Sequence, residues 1–490
     1  MSQYLWNAQE MFVVKFAFGA LWVLLYKLYF LSILFGGIYS RMKKLFGTDG
    51  IRGRAGSFPL DRETVRIMGS SLARQYYGKH DRNERFITGR DTRESGEWIE
   101  KAFHDGARAE GAECDSAGVI TTPGVAFLTG KHDFDAGIVI SASHNSFEDN
   151  GVKIFSPSGR KIDEATEKMI ERDIAERRPA EGSYYGVETD SSKAEVFQND
   201  YLEYLEGEFK DLKLNGSKMV LDCANGAASH LAPRLFKALG ADVTVLNDKP
   251  DGRNINKDCG SLHLEHLQAR VALENADFGA AFDGDADRAL FVDETGNIVD
   301  GDAVLWIMAQ YFQDAGKLKN STVVATVMSN IGLEIALATK KLKLHRAAVG
   351  DKYVLEELLK TNSEIGGEQS GHVIFPEKSL VGDGMMTTLF LLEAIRAKGA
   401  AFSEMTRGFL RYPQILLNVK VLEKKPFEDF EEIIDASRQI EEELDGTGRL
   451  LLRYSGTENL ARVMIEGRDQ VVIEAQANHI ADVIRAKLGT

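Results

Sequence analysis

Short apolar runs alternate with helical stretches along this chain, and several of the runs end directly in a polar loop. Runs rich in β-branched and aromatic residues are typical of buried strands. Four of them lead into loops that contain Gly, Asp or Asn, at residues 86–88, 219–221, 280–282 and 323–327. We therefore predict a strand at each position, with polar groups collected at its carboxyl end.

Helical periodicity is clearest in the stretches 264–276, 353–360, 387–398 and 472–488. Strands that alternate with helices of this length form βαβ units, which build largely parallel sheets. The pattern predicts an α/β protein, and the recurring order of strand and polar loop hints at several related domains.

The C-terminal part of the chain has a different character. Residues 414–422 predict a strand, residues 427–445 an acidic helix, and a further apolar run begins at Arg449. This pattern predicts a small α+β module appended to the α/β body. With polar stretches as junctions, we predict an N-terminal extension and four domains, at 1–41, 42–195, 196–296, 297–408 and 409–490.

The N-terminal extension does not match the rest of the chain. Residues 11–40 are strongly apolar but contain two lysines, and the longest charge-free run, 28–40, is shorter than the ~20 residues of a membrane-spanning helix. Three interpretations stay open: a start assigned too early, with Met42 as the natural one; a membrane anchor; or a helix of the globular protein. Each leaves the rest of the chain in the cytoplasm, with membrane contact only if residues 11–40 are translated.

Composition and charge narrow the class of partner. The chain is 44% hydrophobic and carries 74 acidic against 59 basic side chains, a formal net charge of −15. This balance argues against nucleic acid and anionic membranes as partners. The three cysteines (Cys114, Cys223 and Cys259) are widely separated, and no spacing suits zinc, which indicates a reducing compartment.

A serine follows the apolar run 138–140. Ser143, His144 and Asn145 form a small polar cluster there, with Lys153 farther along. An isolated serine in such a turn usually bonds nearby backbone, but these neighbours favour a reactive hydroxyl. A hydrolase triad fits poorly, because no G-x-S-x-G elbow is present and adjacent side chains on an extended strand point apart.

The sequence D-G-D-A-D-R begins at Asp283 and follows another predicted strand. On an extended backbone Asp283, Asp285 and Asp287 would face the same way, and three carboxylates together favour Mg²⁺. An EF-hand fits poorly, since Arg288 stands where the calcium loop needs glycine. The two polar loops together suggest phosphoryl transfer through Ser143.

Three further loops offer ligand-binding groups, although each could be a plain turn. The stretch G-T-D-G-I-R-G contains Arg52, and G-G-E-Q-S-G-H contains Glu368, Ser370 and His372. The stretch R-Y-S-G-T-E, which begins at Arg453, combines a guanidinium, two hydroxyls and glycine N–H groups, a set suited to a phosphate dianion.

These five loops, in this order, resemble the α-D-phosphohexomutase superfamily, and the resemblance runs from Met42 over nearly the whole chain. The stretches K-L-F-G-T-D-G-I-R-G, D-C-A-N-G-A-A, D-G-D-A-D-R and G-G-E-Q-S-G-H are similar to the bacterial branch that acts on glucosamine phosphates. Relatives acting on glucose or mannose phosphates typically have Met or Glu where Gln369 stands. Proline is usual in place of Ser146 and Asn459, and lysine in place of Tyr454.

The resemblance implies a role for each matching residue. Three α/β domains with mixed or parallel sheets and a smaller C-terminal α+β domain would surround a central cleft. Ser143 would be the phosphoserine, and it would share Mg²⁺ with the three aspartates. The other implied roles are as follows: Lys153, Arg288 and Arg52 at the transfer site; Glu368, Ser370 and His372 at the sugar; and Arg453, Ser455, Gly456 and Thr457 at the substrate's non-reacting phosphate.

The implied activity is an isomerase reaction. Glucosamine 6-phosphate and glucosamine 1-phosphate would be interconverted through a 1,6-bisphosphate, on the path to UDP-N-acetylglucosamine and peptidoglycan. Lys153 is the candidate acid/base if neighbouring cations lower its pKa, with His372 in reserve. The partners would be small sugar phosphates and no nucleic acid, and a homodimer is compatible with this assignment.

Three alternatives remain. A phosphomannomutase or phosphoglucomutase of the same superfamily would use the same loops, and Gln369 speaks against it. A Mg²⁺-dependent serine phosphatase would pass the phosphoryl group from Ser143 to water. A non-catalytic sugar-phosphate sensor would use residues 11–40 as its membrane anchor.

Overall fold

The computed structural model describes residues 44–78, 82–178, 180, 188–455 and 459–489. The chain from Phe46 onward forms one compact unit. The predicted N-terminal extension lies outside the described residues, and so do Gly456 and Thr457. In the part that is described, no helix combines the length and apolar character needed to cross a membrane.

The first domain contains a six-stranded mixed sheet with the strand order β1-β2-β6-β5-β3-β4. Strand β3 is parallel to β4 and β5, whereas the pairs β5–β6, β6–β2 and β2–β1 are antiparallel. Its elements are β1 (Phe46–Gly47), β2 (Gly50–Arg54), β3 (Arg85–Arg90), β4 (Glu113–Val119), β5 (Ala136–Ile140) and β6 (Asp149–Phe155), with α1 (Arg62–Tyr76), α2 (Gly96–Ala109), α3 (Thr122–Lys131) and α4 (Glu164–Ala175).

The second domain contains a five-stranded sheet with the order β11-β10-β9-β7-β8. Strand β7 is parallel to β8 and β9, and β10 turns back antiparallel to β9. Its elements are β7 (Lys218–Asp222), β8 (Asp242–Leu246), β9 (Phe278–Phe282), β10 (Ala289–Asp293) and β11 (Ile298–Val299), with α5 (Ala194–Glu208), α6 (Ala228–Ala238) and α7 (Glu265–Glu274).

The third domain contains a four-stranded sheet with the order β13-β12-β14-β15. Its two short strands, β14 and β15, pair antiparallel and flank the glycine-rich loop around Glu368. Its elements are β12 (Thr322–Thr326), β13 (Lys343–Ala347), β14 (Gly366–Gly367) and β15 (Val373–Ile374), with α8 (Gly301–Asp314), α9 (Ile331–Thr339), α10 (Asp351–Thr361), α11 (Gly384–Lys398) and α12 (Phe402–Met405).

The C-terminal module is an antiparallel sheet of order β16-β18-β17 covered on one face by two helices. Side chains of the helix-facing strand positions form a core of their own with these helices, separate from the large core that runs through the first three domains. Its elements are β16 (Gln414–Lys420), β17 (Arg449–Tyr454), β18 (Leu460–Glu466), α13 (Glu431–Leu444) and α14 (Gln470–Leu488).

The strands and helices predicted from the sequence are all present among the described residues, with ends that differ by a few positions. The expectation of largely parallel sheets needs correction, because each of the three α/β domains mixes parallel and antiparallel pairs. Apolar runs identify buried strands but carry no information on strand direction, which depends on tertiary pairing.

Asp383, at the start of α11, gives the fold a testable pH dependence. Its carboxylate is buried and accepts hydrogen bonds from the Met386 N–H and the Tyr201 hydroxyl, and burial raises its pKa to about 6. A carboxyl pKa above its unfolded value stabilises the fold below about pH 4, and this contribution is lost as pH rises through about 6. Asp383→Asn should therefore gain stability relative to the wild type by up to about 3 kcal/mol between pH 4 and pH 7.

Thermal unfolding across this pH range measures the difference. Asp163→Asn, which alters the exposed cap of α4, controls for exchanging a capping carboxylate. A stability difference between Asp383→Asn and the wild type that stays constant from pH 4 to pH 7 would contradict the assignment.

Candidate active site

Ser143 lies just beyond the carboxyl end of β5, in the position expected for a reactive serine. Its backbone has the left-handed φ of 54°, its side chain is buried, and its Oγ donates a hydrogen bond to Asp283 Oδ2 at 2.5 Å. The left-handed turn takes the chain off the extended path of the strand. It thereby directs the hydroxyl of the first domain at the aspartate loop of the second.

A buried arginine that the sequence reasoning missed holds this loop. Arg93 donates from Nη2 to the carbonyl oxygens of Ser143 (3.0 Å) and Asn145 (2.8 Å), and from Nε to Asp91 Oδ2 (2.9 Å). Asp91 also accepts the Ser141 hydroxyl, whose oxygen in turn accepts the Ser143 N–H. The polar loop after β3 is visible in the sequence, but no local signal links it to Ser143.

Replacing Arg93 should damage both stability and turnover. Arg93→Lys leaves the buried Asp91 without its guanidinium partner, and breaking a buried pair in this way costs about 3–5 kcal/mol. We expect a clear drop in unfolding temperature and a larger fall in kcat than rise in KM. Arg90→Lys, at the more exposed arginine that ends β3, is the control. Wild-type stability of Arg93→Lys would contradict this role.

The aspartate loop is a tight turn and not the extended segment that the alternating pattern predicted. Ala286 has a left-handed φ of 56°, and the Ala286 N–H donates to the Asp283 carbonyl oxygen at 3.1 Å. The three carboxylates nevertheless converge, with candidate ligand atoms within 4.8 Å of one another. Gly284 permits the close approach of the two loops, because a Cβ there would lie 2.4 Å from the Ser143 carbonyl oxygen.

The donor set of this cluster fits a divalent cation. Asp285 Oδ1 and Asp287 Oδ1 are buried without a hydrogen-bond partner. Burial, together with the charges of Asp287 and Asp285, raises the pKa of Asp283 well above its ordinary value. Three close carboxylates with unpaired oxygens are costly without a neutralising charge, and hard oxygen ligands suit Mg²⁺.

Lys153 is fully buried among carboxylates. Its Nζ lies 2.8 Å from Asp285 Oδ2, 3.1 Å from Asp287 Oδ2 and 3.0 Å from Asp49 Oδ2. Burial by itself would lower the pKa of Lys153, but these three charges raise it well above its ordinary value. The expectation that neighbouring cations lower this pKa is therefore wrong, since the nearest charged groups are anionic.

Lys161 extends this ion-pair chain toward the third domain and was not anticipated from the sequence. Its Nζ lies 2.7 Å from Asp49 Oδ1 and 2.6 Å from Asp351 Oδ2. Arg52 pairs with the Asp49 carboxylate, but it lies on strand β2 and not in the loop that the sequence predicted. The glycine-rich G-T-D-G-I-R-G stretch thus reaches the aspartate cluster through Lys153.

His144 and Arg288 lie beside the serine. His144 Nδ1 is 3.4 Å from Ser143 Oγ and 3.2 Å from Arg288 Nη1, and burial with the nearby Arg288 and Arg52 lowers the pKa of His144 to about 4. The expectation that the adjacent side chains point apart is wrong, because the backbone turns at Ser143. The Ser143 hydroxyl nevertheless donates to Asp283, and the low pKa makes His144 a weak base.

The glycine-rich loop of the third domain presents Glu368, Ser370 and His372. Glu368 Oε1 accepts the Gly350 N–H at 3.1 Å, and Ser370 Oγ lies 3.5 Å from Glu368 Oε2. His372 is buried, with Nδ1 3.7 Å from Asp287 Oδ1, and its Nε2 accepts the Gly382 N–H at 3.1 Å. The loop therefore borders the aspartate cluster through His372.

The R-Y-S stretch lies on the C-terminal module, at the end of β17. Arg453 pairs across the sheet with Arg462 of β18, and burial together with Arg462 lowers the pKa of Arg453. Lys424 Nζ donates to the carbonyl oxygen of the buried Ser455 at 2.6 Å. This gathers three basic side chains near one loop, and sequence spacing alone did not identify Arg462 or Lys424.

The structure thus brings together Ser143, Lys153, Arg288, His372 and the three aspartates. Arg453 and Ser455 lie on the separate C-terminal sheet. A serine hydroxyl, three carboxylates and cationic side chains therefore meet at one place, and further basic side chains lie on a module with its own core.

Four family models match consecutive parts of the chain. They are described as the alpha/beta/alpha domains I, II and III of phosphoglucomutase/phosphomannomutase, over residues 43–181, 199–296 and 300–412, and the C-terminal domain, over 416–483. The chain belongs to the phosphoglucomutase/phosphomannomutase family, which confirms the predicted four-domain architecture.

The curated relatives narrow the class further. The phosphoglucosamine mutase of Solibacter usitatus is 48% identical over 91% of this chain and 99% of its own length. Those of Caldicellulosiruptor saccharolyticus and Koribacter versatilis are 45% and 44% identical, again over 91% of this chain and nearly all of their own lengths. The recognition made from the sequence motifs is thereby confirmed.

Solved structures share the fold. A phosphoglucomutase/phosphomannomutase family protein from Burkholderia thailandensis has a TM-score of 0.74 at 25% identity, covering 90% of this chain and 97% of that one. The N-acetylphosphoglucosamine mutase of Aspergillus fumigatus, solved with GlcNAc-6P and magnesium, has a TM-score of 0.62 at 19% identity, with coverages of 90% and 95%. This more distant likeness concerns the fold alone.

Proposed function

We propose that this protein is an isomerase that interconverts glucosamine 6-phosphate and glucosamine 1-phosphate through a phosphoserine and a 1,6-bisphosphate. The observation that carries the proposal is the hydrogen bond from the buried Ser143 Oγ to Asp283 of the aspartate cluster. The identity of 44–48% with phosphoglucosamine mutases, over nearly their whole lengths, supports the choice of sugar.

Mg²⁺ is the cofactor that the donor set supports. Asp283, Asp285 and Asp287 would hold it, together with a phosphoryl oxygen on Ser143. The ion would supply positive charge that polarises the transferring phosphoryl group and neutralises its oxygens.

Cationic side chains near the aspartate cluster would also help to neutralise the charge of the transferring phosphoryl group. Lys153 provides a buried positive charge at the aspartate cluster, Arg288 provides a partly exposed one near Ser143, and Arg52 provides one beside Asp49. The carboxylates that raise the pKa of Lys153 keep it protonated, so we assign it to charge neutralisation and positioning. His372 Nε2 already accepts a hydrogen bond, which argues against its use as a base at that atom.

The remaining loops would divide substrate binding between them. Glu368, Ser370 and His372 supply acceptors and donors for the sugar hydroxyls and the amine. Arg453 and Ser455, with the neighbouring Gly456 and Thr457, supply a site for the phosphate that is not reacting.

The reaction needs two transfers with opposite directions. The P–O bond to Ser143 Oγ breaks as a P–O bond to the sugar O1 forms. The O1 hydroxyl loses its proton, and Ser143 Oγ takes up a proton to become a hydroxyl. The bisphosphate then turns end for end. Ser143 Oγ takes the 6-phosphoryl group, its hydroxyl proton leaves, and the O6 oxygen regains a proton, so the phosphoserine is restored.

A substrate comparison tests this function. We expect isomerisation of glucosamine 6-phosphate with a higher kcat/KM than that for glucose or mannose 6-phosphate, and no net release of inorganic phosphate. A preference for glucose or mannose phosphates would indicate a different member of the family. Phosphate release without isomerisation would contradict the mutase assignment.

A further inference from the structure

One face of the C-terminal sheet is not covered by the helices of its module, and this face connects the proposed phosphate site to the third domain. On β18, Arg462 and Glu466 lie four residues apart, so they share one face of the strand about 13 Å apart. The row through Arg462 contains Arg453 and Asn418, and the row through Glu466 contains Arg449 and Gln414. One strand therefore carries a residue of the anion-binding region and a residue of the interdomain junction.

Glu466 is completely buried at this junction and satisfies four donors. Oε1 accepts from Asn330 Nδ2 (3.3 Å) and Gln414 Nε2 (3.1 Å), while Oε2 accepts from the Ile331 N–H (3.1 Å) and Arg449 Nε (2.5 Å). Two of these donors belong to the third domain and two to the C-terminal module. Glu466 thus joins two bodies with separate cores.

The same junction also fixes the linker between the two bodies. The Asn330 side chain donates from Nδ2 to the Tyr412 carbonyl oxygen at 3.0 Å and accepts the Tyr412 N–H at 2.9 Å. Arg449 Nη2 donates to the Ser329 carbonyl oxygen at 2.8 Å. The linker and the sheet are therefore both attached to the loop that follows β12.

From this loop the contacts continue to the glycine-rich loop. The Asn330 N–H donates to Asp302 Oδ2 at 2.8 Å, and the neighbouring Gly301 N–H donates to the Gln369 carbonyl oxygen at 3.0 Å. A Cβ on Gly301 would lie 2.0 Å from the Glu368 carbonyl oxygen. A continuous set of buried contacts thus runs from Glu466 to the loop assigned to the sugar.

We propose that Glu466 is a positioning residue that sets the distance between the proposed phosphate site at Arg453 and the glycine-rich loop around Glu368. It thereby retains the bisphosphate in the cleft while the bisphosphate reverses its orientation. The proposal rests on the proposed function. The bisphosphate must leave its first orientation without leaving the cleft, so the module that holds its distal phosphate has to move within limits. A buried carboxylate with four donors on two bodies provides such a limit.

Removing the charge of Glu466 should increase the range of movement of the C-terminal module without changing the proposed transfer site. Glu466→Gln keeps the shape but cannot accept from all four donors, and it leaves the Arg449 guanidinium without its carboxylate partner. The C-terminal module would then pivot more freely. Ser143 and the aspartate cluster, which lie in the first two domains, would keep their geometry.

The experiment compares Glu466→Gln with Glu443→Gln, an exposed glutamate of α13 in the same module. Bisphosphate released per turnover, KM, kcat, unfolding temperature and the single-turnover rate of transfer from phospho-Ser143 are measured for each. For Glu466→Gln we expect release and KM to rise by about tenfold. The transfer rate at saturating substrate should stay within about twofold of the wild type, and Glu443→Gln should behave as the wild type.

The outcomes separate this inference from the proposed function. If the wild type does not isomerise glucosamine 6-phosphate, the proposed function fails. If it does, but Glu466→Gln releases no more bisphosphate than the wild type, or its transfer rate falls in step with its stability, the positioning role is overturned. Should Glu466→Gln not fold, Gln414→Leu removes one donor alone, and it must show a smaller rise in release for the inference to stand.

Discussion

Ser143→Ala should lower kcat by roughly 10⁴-fold or more while leaving the affinity for glucosamine 6-phosphate close to that of the wild type. The substitution removes only the hydroxyl group, and without it no phosphoryl group can be carried between the two ends of the sugar. The sugar and distal phosphate contacts assigned above come from other loops, so binding should persist. Steady-state assays and calorimetric titration measure the two quantities.

Ser146→Ala is the matched control, because Ser146 lies in the same loop but is exposed. It should retain most of the activity. Residual isomerisation by Ser143→Ala within about tenfold of the wild type would contradict a phosphoserine mechanism, whereas lost binding would show that the substitution disturbs more than the hydroxyl.

Removal of Mg²⁺ should produce the second large effect. We expect chelation to lower kcat by about 10²–10⁴-fold, since a metal ion contributes several kcal/mol of charge stabilisation to phosphoryl transfer. Added Mg²⁺ should also raise the unfolding temperature, because it neutralises three buried carboxylates that otherwise repel one another. The second readout does not depend on turnover.

Asp285→Asn should remove both the activity and the Mg²⁺-dependent rise in unfolding temperature. Asp293→Asn is the control, since Asp293 is also buried at a strand end but bonds the turn that contains Thr295 and Asn297. A Mg²⁺-dependent rise that survives Asp285→Asn unchanged would place the cation elsewhere.

Local patterns predicted the elements and the two central loops well. A serine and a run of aspartates after buried strands are positions where an α/β fold exposes chemistry, so the sequence alone suffices to propose Ser143 and Asp283 as neighbours. The interpretation of the aspartates was nevertheless wrong in detail. They converge through a turn at Ala286 and not through alternation along a strand.

Long-range contacts could not be predicted in this way. Arg93, Lys161 and Glu466 act on partners fifty or more residues away in most of their contacts, and nothing in their local sequence marks them. The pKa of Lys153 was misjudged for the same reason, since its three carboxylate neighbours come from two segments that are distant from it in sequence. Periodicity and motif spacing describe local structure, whereas electrostatics depends on packing.

The separate core of the C-terminal module gives the proposed mechanism its physical basis. The proposed transfer site lies in domains that share a large hydrophobic core, and Arg93 holds the Ser143 loop by hydrogen bonds. Arg453, which we assign to the distal phosphate, belongs to a module with its own core and a polar junction at Glu466. The proposed transfer site and the proposed site for the distal phosphate therefore lie in parts of the chain with separate cores.

Direct observation of phosphoryl transfer from Ser143 tests the central claim. Protein phosphorylated by glucosamine 1,6-bisphosphate is mixed with glucosamine 6-phosphate, and mass spectrometry follows both the Ser143 peptide and the sugar. We predict that phosphate leaves Ser143 at the rate at which new bisphosphate forms. Release of inorganic phosphate in its place, or isomerisation by protein that never carries phosphate on Ser143, would contradict the account.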